Sequence, residues 1–184
     1  MHVLWKYDRE VSTKKDCTTC QLAGKRPPQL WRHTGLLERM LEHVDCFISP
    51  SRFTLKKHLE MGLNIPIRHI PHFLPTPWEI TEIFESQKTN ERPYFLFIGR
   101  LEKIKGLQNV IQIFKENRNY DLLIAGDGEY RKELRELAGN TPNIKFLGRL
   151  EQTHLKNLYR EAIAVIVPSI CLEMFGIIIL KRFR

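Results

Sequence analysis

From Tyr94 onward the chain alternates between short apolar runs and longer amphipathic segments, and this alternation constrains its fold more than any other feature. The apolar runs are "YFLFIG", "YDLLIAG", "NIKFLG" and "AVIVPS"; between them stand "LQNVIQIFKEN", "EYRKELRELAG" and "THLKNLYREA", with a last helix expected from Gly176 onward. A strand that is apolar at nearly every position is one covered on both faces, as in a parallel sheet flanked by helices. The spacing therefore predicts an α/β protein built on a doubly wound, Rossmann-like parallel sheet.

The first half is less regular. Its opening residues are basic and end in "GKRPPQLW", whose paired prolines disfavour helix. In "RHTGLLERMLEHV" the residues Leu36, Leu37, Met40, Leu41 and Val44 recur at helical spacing, with Thr34 as the expected N-cap. "DCFISPS" reads as a buried strand. "SRFTLKKHLEMGL" reads as a helix capped by Ser51 and stopped by Gly62, with Phe53, Leu55 and Leu59 on its apolar side, and "IRHIPHF" as the next strand. From Leu74 the sequence turns polar and carries Pro75, Pro77 and Pro93, the composition of a linker.

Composition excludes some classes. The 184 residues are 42% hydrophobic and 27% charged, a globular balance. No apolar stretch approaches the roughly 18 residues of a membrane span. The start, "MHVLWKYDREVSTKKD", lacks a signal peptide's apolar core, so the cytoplasm is the expected location. Net charge is +8, from 29 Lys and Arg against 21 Asp and Glu. Such a balance suits either a solvated basic surface, able to rest on anionic membranes, or attraction of an anionic ligand. The cations are spread along the chain with no nucleic-acid module, so nucleic acid is not expected as a partner. Of the four cysteines, Cys17 and Cys20 form a lone CxxC while Cys46 and Cys171 stand apart. A structural zinc needs four ligands, and reduced thiols are the expectation here.

In an open parallel sheet, ligands bind beyond the carboxyl ends of the strands. The first such end is followed by "GRLEKIKG", in which Arg100 and Lys105 flank a turn feeding a helix N-terminus. Two cations beside the positive end of a helix suit a phosphate or diphosphate, although solvated loop cations would read the same way. The second is followed by "GDGEYRKEL", whose glycines permit positive φ or close approach, and whose Asp127 either caps a helix or meets a ligand. "FLGRL" follows the third. After the fourth, Glu173 in "PSICLEMFGI" either complements a helix dipole or accepts from ligand hydroxyls. Neither the dinucleotide G-x-G-x-x-G nor the phosphate-loop pattern is present.

Taken in order, "YFLFIGRLEKIKGLQNVIQIF", "LLIAGDGEYRKELRELA", "NIKFLGRLEQTHLKNLYREA" and "AVIVPSICLEMFGIIIL" resemble the C-terminal domain of the retaining, GT-B-fold glycosyltransferases of family 4, the glycosyl transferases group 1. "LLERMLEHVDCFISPSRFTLKKHLEMGL" with "HIPHF" resembles the end of that family's N-terminal domain. The resemblance implies residues 1–78 as the later part of an acceptor-side domain, 79–92 as a linker, and 93–184 as a nucleotide-sugar-binding domain, both domains being incomplete. It implies transfer of a sugar from a nucleotide-sugar donor to a sugar or lipid-linked acceptor, with retention, without a cofactor and without a required metal. Arg100 and Lys105 would hold the donor diphosphate and stabilise the charge that grows on the leaving group. Gly148, Arg149 and Leu150 would lie against the base. Glu173 would bond donor-sugar hydroxyls, and the amides of Phe175, Gly176 and Ile177 would face sugar and phosphate.

The sequence departs from the family pattern in two places. The motif Glu, seven residues, Glu begins at Glu173 but reaches Lys181, which has only donors where ribose hydroxyls would be accepted. His2 falls near the family's acceptor-side His-Asp pair, which Val3 breaks; His2 is therefore a candidate without its partner. The expectation is a glycosyltransferase fragment inactive alone, or else a non-catalytic module that binds a nucleotide-sugar or phosphate.

Overall fold

The computed structural model describes residues 34–73 and 90–170, together with a few positions between 19 and 28 and Glu173, Gly176, Ile178 and Ile179. Contacts divide these into two units. The first holds the positions between 19 and 28, residues 34–73 and Glu173; the second holds 90–170 with Gly176, Ile178 and Ile179.

In the first unit, α1 (Leu36–Leu41) leads to β1 (Phe47–Ser49), α2 (Arg52–Glu60) and β2 (Ile67–His69). Thr34 does not cap α1. The chain enters through Gly35 in the left-handed conformation, and no side chain caps the helix. Ser51 does cap α2, its hydroxyl oxygen accepting the Thr54 N–H at 3.1 Å. That helix stops where Gly62 N–H reaches the Leu59 carbonyl and Leu63 N–H reaches the His58 carbonyl, the paired bonds of a glycine stop. Leu63 is buried behind this stop, whereas Phe53 and Leu59 stay largely exposed on α2, so the expected apolar side is only partly covered. β1 and β2 pair in parallel, Phe47 opposite Ile67 and Ser49 opposite His69. A cavity of about 260 Å³ lies among Leu41, Phe47, Thr54, His58, Leu63 and Ile67.

The second unit is the expected doubly wound layer. Its elements are β3 (Tyr94–Ile98), α3 (Leu107–Glu116), β4 (Asp121–Ala125), α4 (Arg131–Ala138), β5 (Ile144–Gly148), α5 (Gln152–Glu161) and β6 (Ala164–Val165). The four strands are parallel in the order β5-β4-β3-β6. Alternate residues of the central strands supply two cores. On one face Phe97, Leu122 and Ile124 pack with Val110, Ile111 and Phe114 of α3 and Leu134 and Ala138 of α4. On the other, Tyr94, Leu96 and Leu123 pack with Leu158 and Tyr159 of α5. Burial pushes the Tyr159 hydroxyl up to about 12, and Tyr94 donates its own hydroxyl to the Leu158 carbonyl at 3.1 Å. Every residue of β4 is buried, as a continuous apolar run on a central strand requires.

The amino edge of the sheet carries a polar clasp. Asp121 is buried, and its Oδ2 accepts from Asn90 Nδ2 at 3.0 Å and from Lys145 Nζ at 2.9 Å. Arg92 stands 3.5 Å from Oδ1, an ion-pair rather than a hydrogen-bond distance. Burial alone raises the Asp121 pKa, but the hydrogen bonds from Asn90 and Lys145, with the charges of Lys145 and Arg92, outweigh it and hold the carboxyl below the usual aspartate range. Buried Asn143 adds a second tie, its Nδ2 donating to the carbonyls of Phe114 and Tyr120 at 3.0 Å each.

Candidate functional site

The strand order reverses at β3. Its successors β4 and β5 lie to one side of it and β6 lies to the other, so the carboxyl ends of β3 and β6 flank a topological switch point, where doubly wound sheets open a crevice for ligands. The loop after β3 supplies both cations singled out in the sequence. Gly99 N–H bonds the Ala125 carbonyl at 3.1 Å and Leu101 N–H the Asp127 carbonyl at 2.9 Å, while the Leu101 carbonyl accepts Tyr130 N–H at 3.0 Å. A 3₁₀ turn, Lys103–Lys105, then leads through Gly106 into α3. The loop after β6 closes on it from the other side, with Ile170 N–H bonded to the Ile104 carbonyl at 3.0 Å.

The glycines at this edge serve the meeting of these loops. A Cβ on Gly106, at φ +71°, would sit 2.0 Å from the Pro168 carbonyl oxygen. One on Gly126 would sit 1.9 Å from the Gly99 carbonyl oxygen, so the close approach expected of "GDG" is to backbone of the neighbouring loop. Asp127 answers to its turn: Oδ1 accepts the Gly128 N–H at 2.9 Å and lies 3.4 Å from Arg131.

Arg100 is 77% exposed, and its Nη1 lies 3.0 Å from Oε1 of Glu102, whose side chain is 9% exposed. Lys105 is half-buried on the same turn. Gly148, at φ +71°, ends β5 and accepts the Gly126 N–H at 2.7 Å; Arg149 beside it is exposed, and Leu150 packs on the core behind α5. Gly176 is half-buried, its carbonyl accepting the Ile179 N–H at 2.9 Å as a helical turn begins. Arg100, Lys105, Gly148, Arg149, Leu150 and Gly176 thus belong to the sheet unit, whereas half-buried Glu173 groups by its contacts with the first unit. His2, Phe175, Ile177, Lys181 and the Cys17–Cys20 pair lie outside the described residues. Among the described residues no group of three His, Cys, Asp or Glu side chains is placed to hold a metal ion, and no helix is long and apolar enough to cross a membrane.

Sequence reasoning passed over Glu102. The one signal available was an acidic residue inside a turn that otherwise carries cations.

A parallel doubly wound sheet with this order, and the solved structures it resembles, define the class as the GT-B fold of glycosyltransferases. Alr3699/HepE of Anabaena, solved with UDP and glucose, superposes with a TM-score of 0.66 at 16% identity, covering 90% of this chain and 52% of that one. Sucrose-phosphate synthase of Thermosynechococcus elongatus gives 0.60 at 18% identity, covering 91% of this chain and 46% of that one. In sequence, the pattern described as "Glycosyl transferases group 1" matches residues 79–181, and the chain belongs to that family. A glycosyltransferase of Methanocaldococcus jannaschii is 36% identical over 98 residues, which are 50% of this chain and 25% of its own. A GDP-mannose-dependent monoacylated alpha-(1-6)-phosphatidylinositol monomannoside mannosyltransferase of Corynebacterium glutamicum is 28% identical over 147 residues, 72% of this chain and 39% of its own. The chain thus spans well under half the length of these curated relatives.

Proposed function

We propose that the second unit is the donor-binding part of a retaining, family 4 glycosyltransferase, and that the loops at the β3–β6 switch point hold the diphosphate of a nucleotide-sugar. The observation that carries this reading is the loop Gly99–Gly106 at that reversal, which carries Arg100 and then, on the 3₁₀ turn that feeds α3, Lys105. An anion there gains from both cations and from the first amides of α3. As the glycosidic bond to phosphate breaks, negative charge collects on the departing diphosphate, and cations already in place stabilise it without reorganising. Gly148, Arg149 and Leu150 follow β5, two strands from β3 along the same edge of the sheet, and suit the base. Glu173 suits the donor-sugar hydroxyls, and the amides of Phe175, Gly176 and Ile177 suit sugar and phosphate. The HepE structure holds UDP, and the corynebacterial relative uses GDP-mannose. Both are nucleoside diphosphate chemistry, which this site suits without a metal or a cofactor. On this reading the acceptor is a sugar or a lipid-linked molecule in the cytoplasm, and the basic surface is able to rest on an anionic membrane.

A second reading is favoured by one residue. Lys181 stands where the family's second Glu accepts from ribose, which supports a module that binds donor without turning it over, and on this reading the chain alone is inactive. Calorimetric titration with UDP- and GDP-sugars tests the site itself. Wild-type protein is expected to bind one of the two, and Arg100→Ala with Lys105→Ala to weaken it at least ~10-fold, since each charge-assisted contact contributes about 1.5–3 kcal/mol. Folded protein that binds neither donor would remove the reading.

A further inference from the structure

We propose that Glu102 is a positioning residue that holds the Arg100 guanidinium in place for the diphosphate, an inference that rests on reading the switch point as the donor site. Two facts about this pair are hard to reconcile with a stabilising surface ion pair. The carboxylate side is 9% exposed while the guanidinium side is 77% exposed, at 3.0 Å. A pair with one partner so exposed contributes little to folding, while a buried carboxylate carries a desolvation cost. What the arrangement does supply is a fixed anchor for an exposed cation.

The anchor is fixed because the Glu102 backbone is bonded on both sides. Glu102 N–H bonds the Arg100 carbonyl at 3.0 Å, and the Glu102 carbonyl accepts the Lys105 N–H at 2.9 Å. Leu101, between the two side chains, is 1% exposed and is bonded to Asp127 and Tyr130 of the next loop. Glu102 therefore has a set place at the switch point, and Arg100 takes its direction from it. A free arginine side chain is rich in rotamers, and binding would otherwise remove much of that freedom. The guanidinium has five N–H donors in a rigid fork, so engaging Nη1 with Glu102 leaves donors for phosphate oxygens. Glu102 also stands between Arg100 and Lys105 in the chain, where its charge limits repulsion between the two cations before the anion arrives.

The test is a double-mutant cycle on the full chain, read by calorimetric titration with UDP and with GDP. Glu102→Gln keeps the side chain's size and one acceptor oxygen but removes the charge. It is expected to weaken nucleotide binding about 3- to 10-fold with a melting temperature within a few degrees of wild type, and Arg100→Ala combined with Glu102→Gln is expected to bind no more weakly than Arg100→Ala alone. Binding by Glu102→Gln equal to or tighter than wild type, or losses that multiply in the double variant, would overturn the proposal. A measurement on unmutated protein stands beside the cycle: ¹⁵N relaxation of the Arg100 Nε without nucleotide, its signal assigned by loss in Arg100→Lys. Order close to that of the backbone is expected, and the fast, unrestricted motion of an ordinary surface arginine would overturn the proposal whatever the variants do. If wild-type protein binds neither nucleotide, the donor-site reading fails, and the relaxation result alone decides whether Glu102 holds Arg100.

Discussion

Gly106 and Gly148 share a backbone angle, φ +71° at both, and differ in what surrounds them. A Cβ on Gly148 would meet nothing within 4 Å, while one on Gly106 would collide with the Pro168 carbonyl. Gly148→Ala should therefore cost only the left-handed penalty, about 1–2 kcal/mol. Gly106→Ala should cost that and more, because the loops after β3 and β6 must part to admit the methyl group. Thermal unfolding followed by circular dichroism is expected to show a clearly larger fall for Gly106→Ala; equal falls would mean that the two loops do not meet as described. At this scale the sequence was legible where the signal is local. Ser51 reads as a cap because its partner, the Thr54 amide, is three residues away. Thr34 misleads because the neighbouring Gly35 takes the left-handed conformation and enters the helix itself. Glu102 was harder to read, since it is buried although charged, beside a Leu101 that is tied to Asp127 and Tyr130 of a loop some 25 residues on, and nothing within "GRLEKIKG" announces that.

Between elements, the clasp at Asp121 joins β4, β5 and the segment entering β3. Its carboxyl is held below the ordinary aspartate range, so the stabilisation it gives is complete above about pH 4 and fades as pH falls through the depressed value of the folded state. Asp121→Asn should lower stability by about 1.5–3 kcal/mol at neutral pH, the range for a hydrogen bond to a charged group. Urea unfolding at pH 7 and again near pH 3 is expected to show this deficit shrinking in acid, and a deficit unchanged between the two would contradict the assignment. The strands were legible because burial on two faces forces unbroken apolar runs, as in "LLIA" after Asp121. Edge strands follow that rule less well. In β5, Lys145 is exposed and reaches back to Asp121, and of "AVIVPS" only Ala164 and Val165 pair with β3. A parallel partner for β3 is all the reversal needs, and two residues provide it.

Within the second unit, three βα steps and a fourth strand place the loops after β3, β4, β5 and β6 on one edge of one sheet, and the reversal between β3 and β6 singles out the loop that carries Arg100 and Lys105. The resemblance read in the sequence anticipated the family that the pattern match over residues 79–181 establishes. The place of Glu173 was not readable in the same way, because a residue beyond the last described strand takes its neighbours from tertiary contacts; here those are with the first unit. The +8 net charge favours anionic ligands in general and does not choose between the two edges of the sheet. Amide chemical-shift mapping with UDP and GDP makes that choice directly. Ligand at the switch point predicts that the signals of residues 99–106 and 166–170 move on titration while those of Asn90, Arg92, Asp121 and Asn143 stay still; shifts confined to the Asp121 edge, or none in the 99–106 loop, would contradict the account.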